Sequence, residues 1–280
     1  MNQSGKIPLY KRTYSHTCSK GFTLVELMIS LALGTIVISG LMSVYVSTVV
    51  SSSDTLQMSK LLQQSSALMN MIGSDIRRAG YWGQGDSTIS DYIARDPSAN
   101  PFNESSHSEL TLIDSLKSNT VIFGNSAATG ECLVFSYDIN GDGVLSAQDI
   151  VGFRLNAGVA QMRNVGDIAS TKHDSCLSGT WEDLTDSEVV NIDKLTFSLE
   201  KSVCINTREP DNVDNDSSNG IDDDAEMDCY QQSPKITSGD VTSETVQITV
   251  KIESSLTGDP FVKSQLNQVF RVRNDRVRTW

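Results

Sequence analysis

Leu27-Met28-Ile29-Ser30-Leu31-Ala32-Leu33-Gly34-Thr35-Ile36-Val37-Ile38-Ser39-Gly40-Leu41-Met42-Ser43-Val44-Tyr45-Val46-Ser47-Thr48-Val49-Val50 decides the architecture. It lies in a run of 27 positions, Leu27 to Ser53, that carries no charge. About 20 apolar residues cross a bilayer as a helix, so the run is long enough to span. On its N-terminal side Lys6, Lys11, Arg12 and Lys20 give residues 1–21 a charge of +4 with no acid. Cations on that flank place Met1 in the cytoplasm and the chain beyond the run on the other side. A secretory signal peptide has the same order of basic and apolar segments. This run is longer than such a signal needs, and no small-x-small pattern clearly ends it.

The rest of the composition narrows the class. The 280 residues hold 22 Lys and Arg against 35 Asp and Glu, a net charge of −13. That balance argues against nucleic-acid binding, which leaves a basic stripe, and against docking to an anionic membrane surface. With 38% hydrophobic and 20% charged residues the chain is expected to fold. A mean hydropathy of −0.21 excludes a polytopic membrane protein. Three histidines, His16, His107 and His173, are too few for a histidine-rich metal site.

Glu26 stands one turn into the apolar run. An ionisable residue there is costly and marks a functional position, unless it merely rests at the membrane interface. Lys20-Gly21-Phe22-Thr23-Leu24-Val25-Glu26-Leu27 resembles the class III signal of type IV prepilins and pseudopilins. The resemblance implies that a prepilin peptidase cuts after Gly21 and that the new N-terminus, Phe22, is methylated. It also implies that Glu26 guides assembly by pairing with the free amine of Phe22, on its own chain or a neighbour, since a buried charge needs a partner. Gly34 and Gly40 weaken a helix in water but are tolerated in a membrane. There they allow close packing or local melting, or are simply small residues.

Leu56, Met58, Leu61, Leu62, Leu68, Met69, Ile72 and Ile76 recur at three- and four-residue spacing. That pattern predicts that the helix continues with one face on a core. Arg77 and Arg78 suit its last turn, and Gly80 is a stop signal. Asp75-Ile76-Arg77-Arg78-Ala79-Gly80-Tyr81-Trp82-Gly83 resembles the end of this helix in PilW-type minor pilins, and Phe270-Arg271-Val272-Arg273-Asn274 is similar to their closing strand. The J-class pseudopilin of type II secretion is similar in architecture.

Residues 86–109 read as loop. Strands are predicted at Leu110–Ile113, Val121–Phe123, Cys132–Tyr137, Ile150–Leu155, Lys194–Leu199, Thr245–Glu253 and Gln268–Arg273. The expected fold is α+β, a long N-terminal helix packed on a β-rich head. The expected parts are a leader at 1–21, a membrane or filament-core helix at 22–53, its amphipathic continuation at 54–80, and the head at 81–280.

Cys18 lies in the leader, which leaves Cys132, Cys176, Cys204 and Cys229. An even number outside the cytoplasm favours two disulfides. Three pairings are possible. Cys132–Cys176 with Cys204–Cys229 closes the shorter loops and is preferred. Zinc is a poor alternative, because no CxxC spacing exists.

Asp138-Ile139-Asn140-Gly141-Asp142-Gly143-Val144-Leu145-Ser146-Ala147-Gln148-Asp149 resembles an EF-hand or dockerin-type calcium loop. Such a loop takes oxygen ligands at positions 1, 3, 5, 7, 9 and 12 and a glycine at 6. Asp138, Asn140, Asp142, the Val144 carbonyl, Ser146 and Asp149 fill the ligand positions, and Gly143 the turn. The alternative is a turn between strands with spare acids. Between Cys204 and Cys229 stand nine acids and one cation. There Asp211, Asp214, Asp216, Asp222 and Asp223 form a second possible calcium site, or a solvated acidic loop.

No HExxH, P-loop or GxSxG is present. His107 and His173 have no partner pattern, so no enzyme is expected. The reading is a minor pilin of a type IV pilus that primes assembly and contributes to the tip complex, and hence to adhesion, twitching motility or DNA uptake. Its partners would be the prepilin peptidase, other minor pilins, the major pilin and a pilus-tip adhesin, with no nucleic acid bound directly. It would sit in the inner membrane with a periplasmic head, then in the pilus at the cell surface. The alternatives are the J-class pseudopilin and a permanently anchored calcium-binding or hydrolytic domain.

Overall fold

A computed structural model describes residues 21–103, 108–166, 175–214, 217–218, 220–234 and 239–280. The chain divides into two compact units, residues 1–54 and 55–280. One helix, α1 (Leu24–Ile76), begins in the first and ends in the second. At about 1.5 Å per residue its 53 residues measure roughly 80 Å.

The first unit is helix α1 up to Asp54, and it is long and apolar enough to cross a bilayer. Thr23 starts it, its Oγ1 accepting from the Glu26 amide at 3.2 Å. Leu27, Ile36, Leu41 and Tyr45 are exposed on every side. A helix apolar all round and unburied is made for lipid or for other helices. A β-carbon at Gly34 or Gly40 would meet nothing within 4 Å, so no contact among the described residues requires those glycines.

The second unit has its own core. From α1 it takes Leu61, Leu68, Met69, Ile72 and Ile76, all buried, while Leu56, Met58 and Leu62 of the same periodic set are exposed. The helix ends at Ile76, one turn earlier than Gly80 suggests. Arg77 to Gly80 form a turn, and Gly80 has a φ of +70° that favours glycine. Arg77 and Arg78 therefore follow the last helical turn instead of lying within it.

Beyond α1 come a short helix α2 (Ile89–Ile93), 3-10 turns at Pro97–Ala99 and Pro101–Asn103, and then the strands. These are β1 (Thr111–Ile113), β2 (Val121–Ile122), β3 (Thr129–Gly130), β4 (Cys132–Ser136), β5 (Ile150–Asn156), β6 (Val159–Val165), β7 (Thr180–Asp183), β8 (Val190–Ser198) and β9 (Val203–Asn206). A one-turn helix α3 (Asp224–Met227) precedes β10 (Val241–Thr245), β11 (Gln247–Leu256), β12 (Lys263–Arg271) and β13 (Arg276–Thr279). They form three antiparallel sheets in the orders β2-β1-β4-β5-β6-β7, β12-β11-β8-β3 and β13-β10-β9.

Alternation places the core. On β11, Ile248, Val250 and Ile252 are fully buried, and Thr249, Lys251 and Glu253 between them are half-buried. On β4, Leu133 and Phe135 join the main core beneath α1, and Cys132 and Val134 join a smaller one with Ile113, Ile150 and Cys176. The fold is α+β.

Candidate functional site

At the start of the chain, Phe22 is 83% exposed and Glu26 is exposed on the first turn of α1. Among the described residues nothing buries the Glu26 carboxylate. The leader 1–20, with Cys18, lies outside the described residues, as do His16, His107 and His173.

The oxygen-rich loop 138–149 is joined to the segment that follows α1. Asp138 is buried and its carboxylate accepts three amides: Gly141 at 2.7 Å on Oδ1, and Gly143 at 2.7 Å and Gly83 at 3.0 Å on Oδ2. The Asp138 amide donates to Tyr81 O at 2.9 Å, Gly80 N to Ser136 O at 2.8 Å, and Gly85 N to Gly141 O at 3.0 Å. Trp82 Nε1 donates to Gly143 O at 3.1 Å. Glycines are required on this face. A β-carbon at Gly83 would come 2.5 Å from Asp138 Oδ2, and one at Gly85 2.2 Å from Asp142 O. Arg95 stacks over Trp82 at 4.3 Å and donates to Gly83 O at 2.7 Å and Gln84 O at 2.8 Å.

At the other end of the loop Asp149 is buried. It accepts from Ile139 N at 2.9 Å, Ser146 N at 2.8 Å and Ser146 Oγ at 2.6 Å. Asn140 donates to Asp142 Oδ2 at 2.7 Å, and Val144 N to Asp142 Oδ1 at 2.8 Å. Backbone and side-chain donors thus occupy most of the carboxylate lone pairs. The three carboxylates do not form a group with oxygens within 4.8 Å of one another.

The acidic loop differs. Cys204 is bonded to Cys229 beneath it, and Cys132 to Cys176 in the smaller core. Among the described residues, the trio whose carboxylate oxygens all lie within 4.8 Å is Glu209, Asp222 and Glu226, the last fully buried. Asp223 caps α3, accepting from Ala225 N at 2.8 Å and Glu226 N at 3.2 Å. Asp211 accepts from Val213 N at 2.8 Å and Asp214 from Ser217 N at 2.6 Å. Asp216 lies outside the described residues. Of the five acids singled out from the sequence, Asp222 alone is in the trio. Glu209 and Glu226 were missed because their spacing matches no ligand pattern.

A further charged cluster had no mark in the linear sequence beyond Arg276-x-Arg278, an i, i+2 pair that shares one face of a strand. Glu109 bonds Arg276 and Arg278, Glu244 bonds Arg276, and the Tyr230 hydroxyl donates to Glu244. Burial pushes the Glu109 carboxyl up, against the pull of the two guanidiniums, and pushes Arg278 down. Tyr230 is raised by burial and then by Glu244. The cluster ties β13 and β10 to the start of the β1 segment and borders a cavity of about 260 Å³.

A family model described as prepilin peptidase-dependent protein B matches residues 54–272, and one described as the prokaryotic N-terminal methylation motif matches residues 17–42. No match was found among curated proteins or among solved structures.

Proposed function

Because this chain belongs to the prepilin peptidase-dependent protein B family and carries the N-terminal methylation motif, we propose that it is a minor pilin that primes type IV pilus assembly. Proteins of these families are structural and not enzymatic, and they depend on prepilin peptidase for processing. The observation that carries the reading is the exposed apolar helix with Phe22 and Glu26 at its start. Processing after Gly21 leaves that helix on the mature chain. Lipid covers it first, and neighbouring helices cover it in a filament. Glu26 would then need a partner, and the new amine at Phe22 supplies a cation of the right charge.

By this reading the protein sits in the inner membrane with a periplasmic head before entering the pilus. Other minor pilins, the major pilin and a tip adhesin are its partners, and adhesion, twitching motility or DNA uptake is the output. The resemblance of residues 75–83 and 270–274 supports the PilW type. The test is intact mass and N-terminal sequencing of the native protein. Methylated Phe22 at the start, four oxidised cysteines and recovery in sheared pili are expected. A chain beginning at Met1 overturns the reading. Recovery with a secretion platform reassigns it to a J-class pseudopilin.

We also propose calcium as a ligand of the acidic loops. What supports it in the disulfide loop is the convergence of Glu209, Asp222 and Glu226; hard oxygen donors suit that ion. At 138–149 the support is the order of six oxygen donors with positive-φ glycines at 141 and 143. Calcium titration calorimetry of the full chain in detergent separates the two. Glu209→Gln with Asp222→Asn is expected to abolish one binding event, and Asp138→Ala with Asp142→Ala the other. Uptake unchanged in both double variants removes calcium from the account.

A further inference from the structure

The chain has a net charge of −13, yet cations gather where α1 ends beside β12. Arg77, Arg271 and Arg273 line one hollow of about 370 Å³ together with Val269, Phe270 and Val272. Arg273 N donates to Arg77 O at 3.2 Å, and the Arg77 guanidinium lies 5.2 Å from the centre of the Phe270 ring. Arg271 has Asp275 at 3.4 Å. Among the described residues, Arg77 and Arg273 have no carboxylate within salt-bridge distance.

The hollow continues along a seam. A second one, of about 200 Å³, lies between Ser66, Met69 and Asn70 of α1 and Leu266, Asn267 and Gln268 of β12. Strand β12 is the terminal strand of its sheet, paired with β11 on one side and with no strand among the described residues on the other. Terminal strands are usually guarded by charge. Here Lys263 and Arg271 stand at the two ends, and Ser264 to Phe270 between them carry none. An unguarded strand edge offers main-chain donors and acceptors to a strand from another chain.

We propose that this seam takes an extended, carboxylate-bearing segment of a neighbouring subunit, added as a strand to the open edge of β12 with its acids on Arg77 and Arg273. The partner's being a fellow subunit rests on the assembly reading above; its chemistry does not. Anionic headgroups would satisfy the arginines but not the row of main-chain groups, so a peptide fits the whole seam better. The chain's own acidic loop carries the complementary charge. It leaves the β13-β10-β9 sheet at the Asn206–Thr242 end, whereas the stretch 271–275, with Arg271 and Arg273 against Asp275, meets the sheet at the Glu244–Arg276 end. One head therefore presents opposite charges at opposite ends of one sheet, the arrangement of a head-to-tail contact.

The test uses the full chain in detergent and a fluorescein-labelled peptide of residues 207–228 as the acidic probe, followed by anisotropy. Saturable binding that weakens with added salt is expected. Arg77→Gln with Arg273→Gln should weaken it by about tenfold or more, the scale of losing charge-assisted hydrogen bonds. Lys117→Gln, exposed and on another loop, should leave it unchanged. A backbone N-methylated probe should bind poorly, because strand addition uses main-chain amides. That arm uses the unaltered protein and stands even if the double variant misfolds. No binding at low salt, or equal binding of the N-methylated probe, overturns the proposal. Competition by glycerol 3-phosphate as effective as the unlabelled peptide reassigns the seam to a lipid headgroup.

Discussion

The ring of Phe270 fills the space that any side chain at position 73 would need: a β-carbon on Gly73 would lie 2.1 Å from Phe270 Cε1. Gly73 is buried in α1 and Phe270 is 2% exposed on β12, so helix and sheet are in tight contact here. Glycine inside a helix ordinarily costs about 1 kcal/mol relative to alanine. Here that cost permits a contact no other residue allows.

Gly73→Ala should therefore lower stability despite its better helix propensity. Overpacking costs about 1–3 kcal/mol and outweighs the propensity gain. Phe270→Leu in the same background should recover part of the loss. Thermal melts of the full chain in detergent, followed by circular dichroism, check both. A Gly73→Ala variant as stable as the parent would mean that the ring moves aside freely.

Asp75 gives a pH dependence of known sign. Burial raises its carboxyl pKa above the usual value, against the pull of Arg78 and the hydrogen bond from Tyr137 Oη at 3.3 Å. Tyr137 is pushed up to about 12 by burial and by Asp75, so it remains a donor. A raised folded pKa means that the native state holds the proton more tightly than the unfolded one. The resulting stability is full below the unfolded value of 3.8 and is lost as pH rises through the folded pKa. Asp75→Asn, which still accepts from Tyr137, should remove that component. The variant should be at least as stable as the parent at neutral pH, and denaturation midpoints measured across pH would show it.

Arg276 holds two carboxylates. Arg276→Ala leaves Glu109 and Glu244 facing each other in a largely buried site, which should cost about 3–5 kcal/mol. Arg276→Met with Glu244→Gln should recover much of it, because Glu109 keeps Arg278 as its partner and no buried charge is left unpaired. Urea midpoints of the two variants decide the matter.

The disulfides should open in order. Cys132 and Cys176 are both fully buried, whereas Cys204 is 8% exposed and Cys229 half-buried beneath the acidic loop. Thiol exchange needs access to sulfur, so mild reduction followed by alkylation and mass spectrometry should label 204 and 229 first. Full reduction should cost roughly 3 kcal/mol or more per bridge, by releasing the unfolded chain.

How much of this was legible depends on the range of the interactions. The start of α1 was clear because an uncharged run needs no partner to be recognised. Strand β11 was clear because Ile248, Val250 and Ile252 alternate with polar residues. Strand β6 was missed. Its hairpin turns through Ala157 and Gly158, both at positive φ, and Ala lacks the usual turn signal of Asn or Asp. Strands β9, β10 and β13 are four or five residues each and form only against one another. The calcium-like loop looks self-contained in sequence, but the Gly80–Gly85 segment also shapes it, with Trp82 and Gly143 61 positions apart in sequence. Nor could spacing reveal that Glu209 and Glu226 meet Asp222, since the chain between them doubles back inside a disulfide.

That junction between the end of α1 and the 138–149 loop has a mechanical side. Tension that passes the buried face of α1, Leu61 to Ile76, next meets Gly80, where the chain leaves the helix. Between Gly80 and Gly85, five hydrogen bonds join this short stretch to Ser136, Asp138, Gly141 and Gly143. Because they lie close together, they would share the load instead of breaking one after another. The loop is then an anchor plate, and tension applied to the helix would enter the sheet through β4 and β5 before it could unravel the turn.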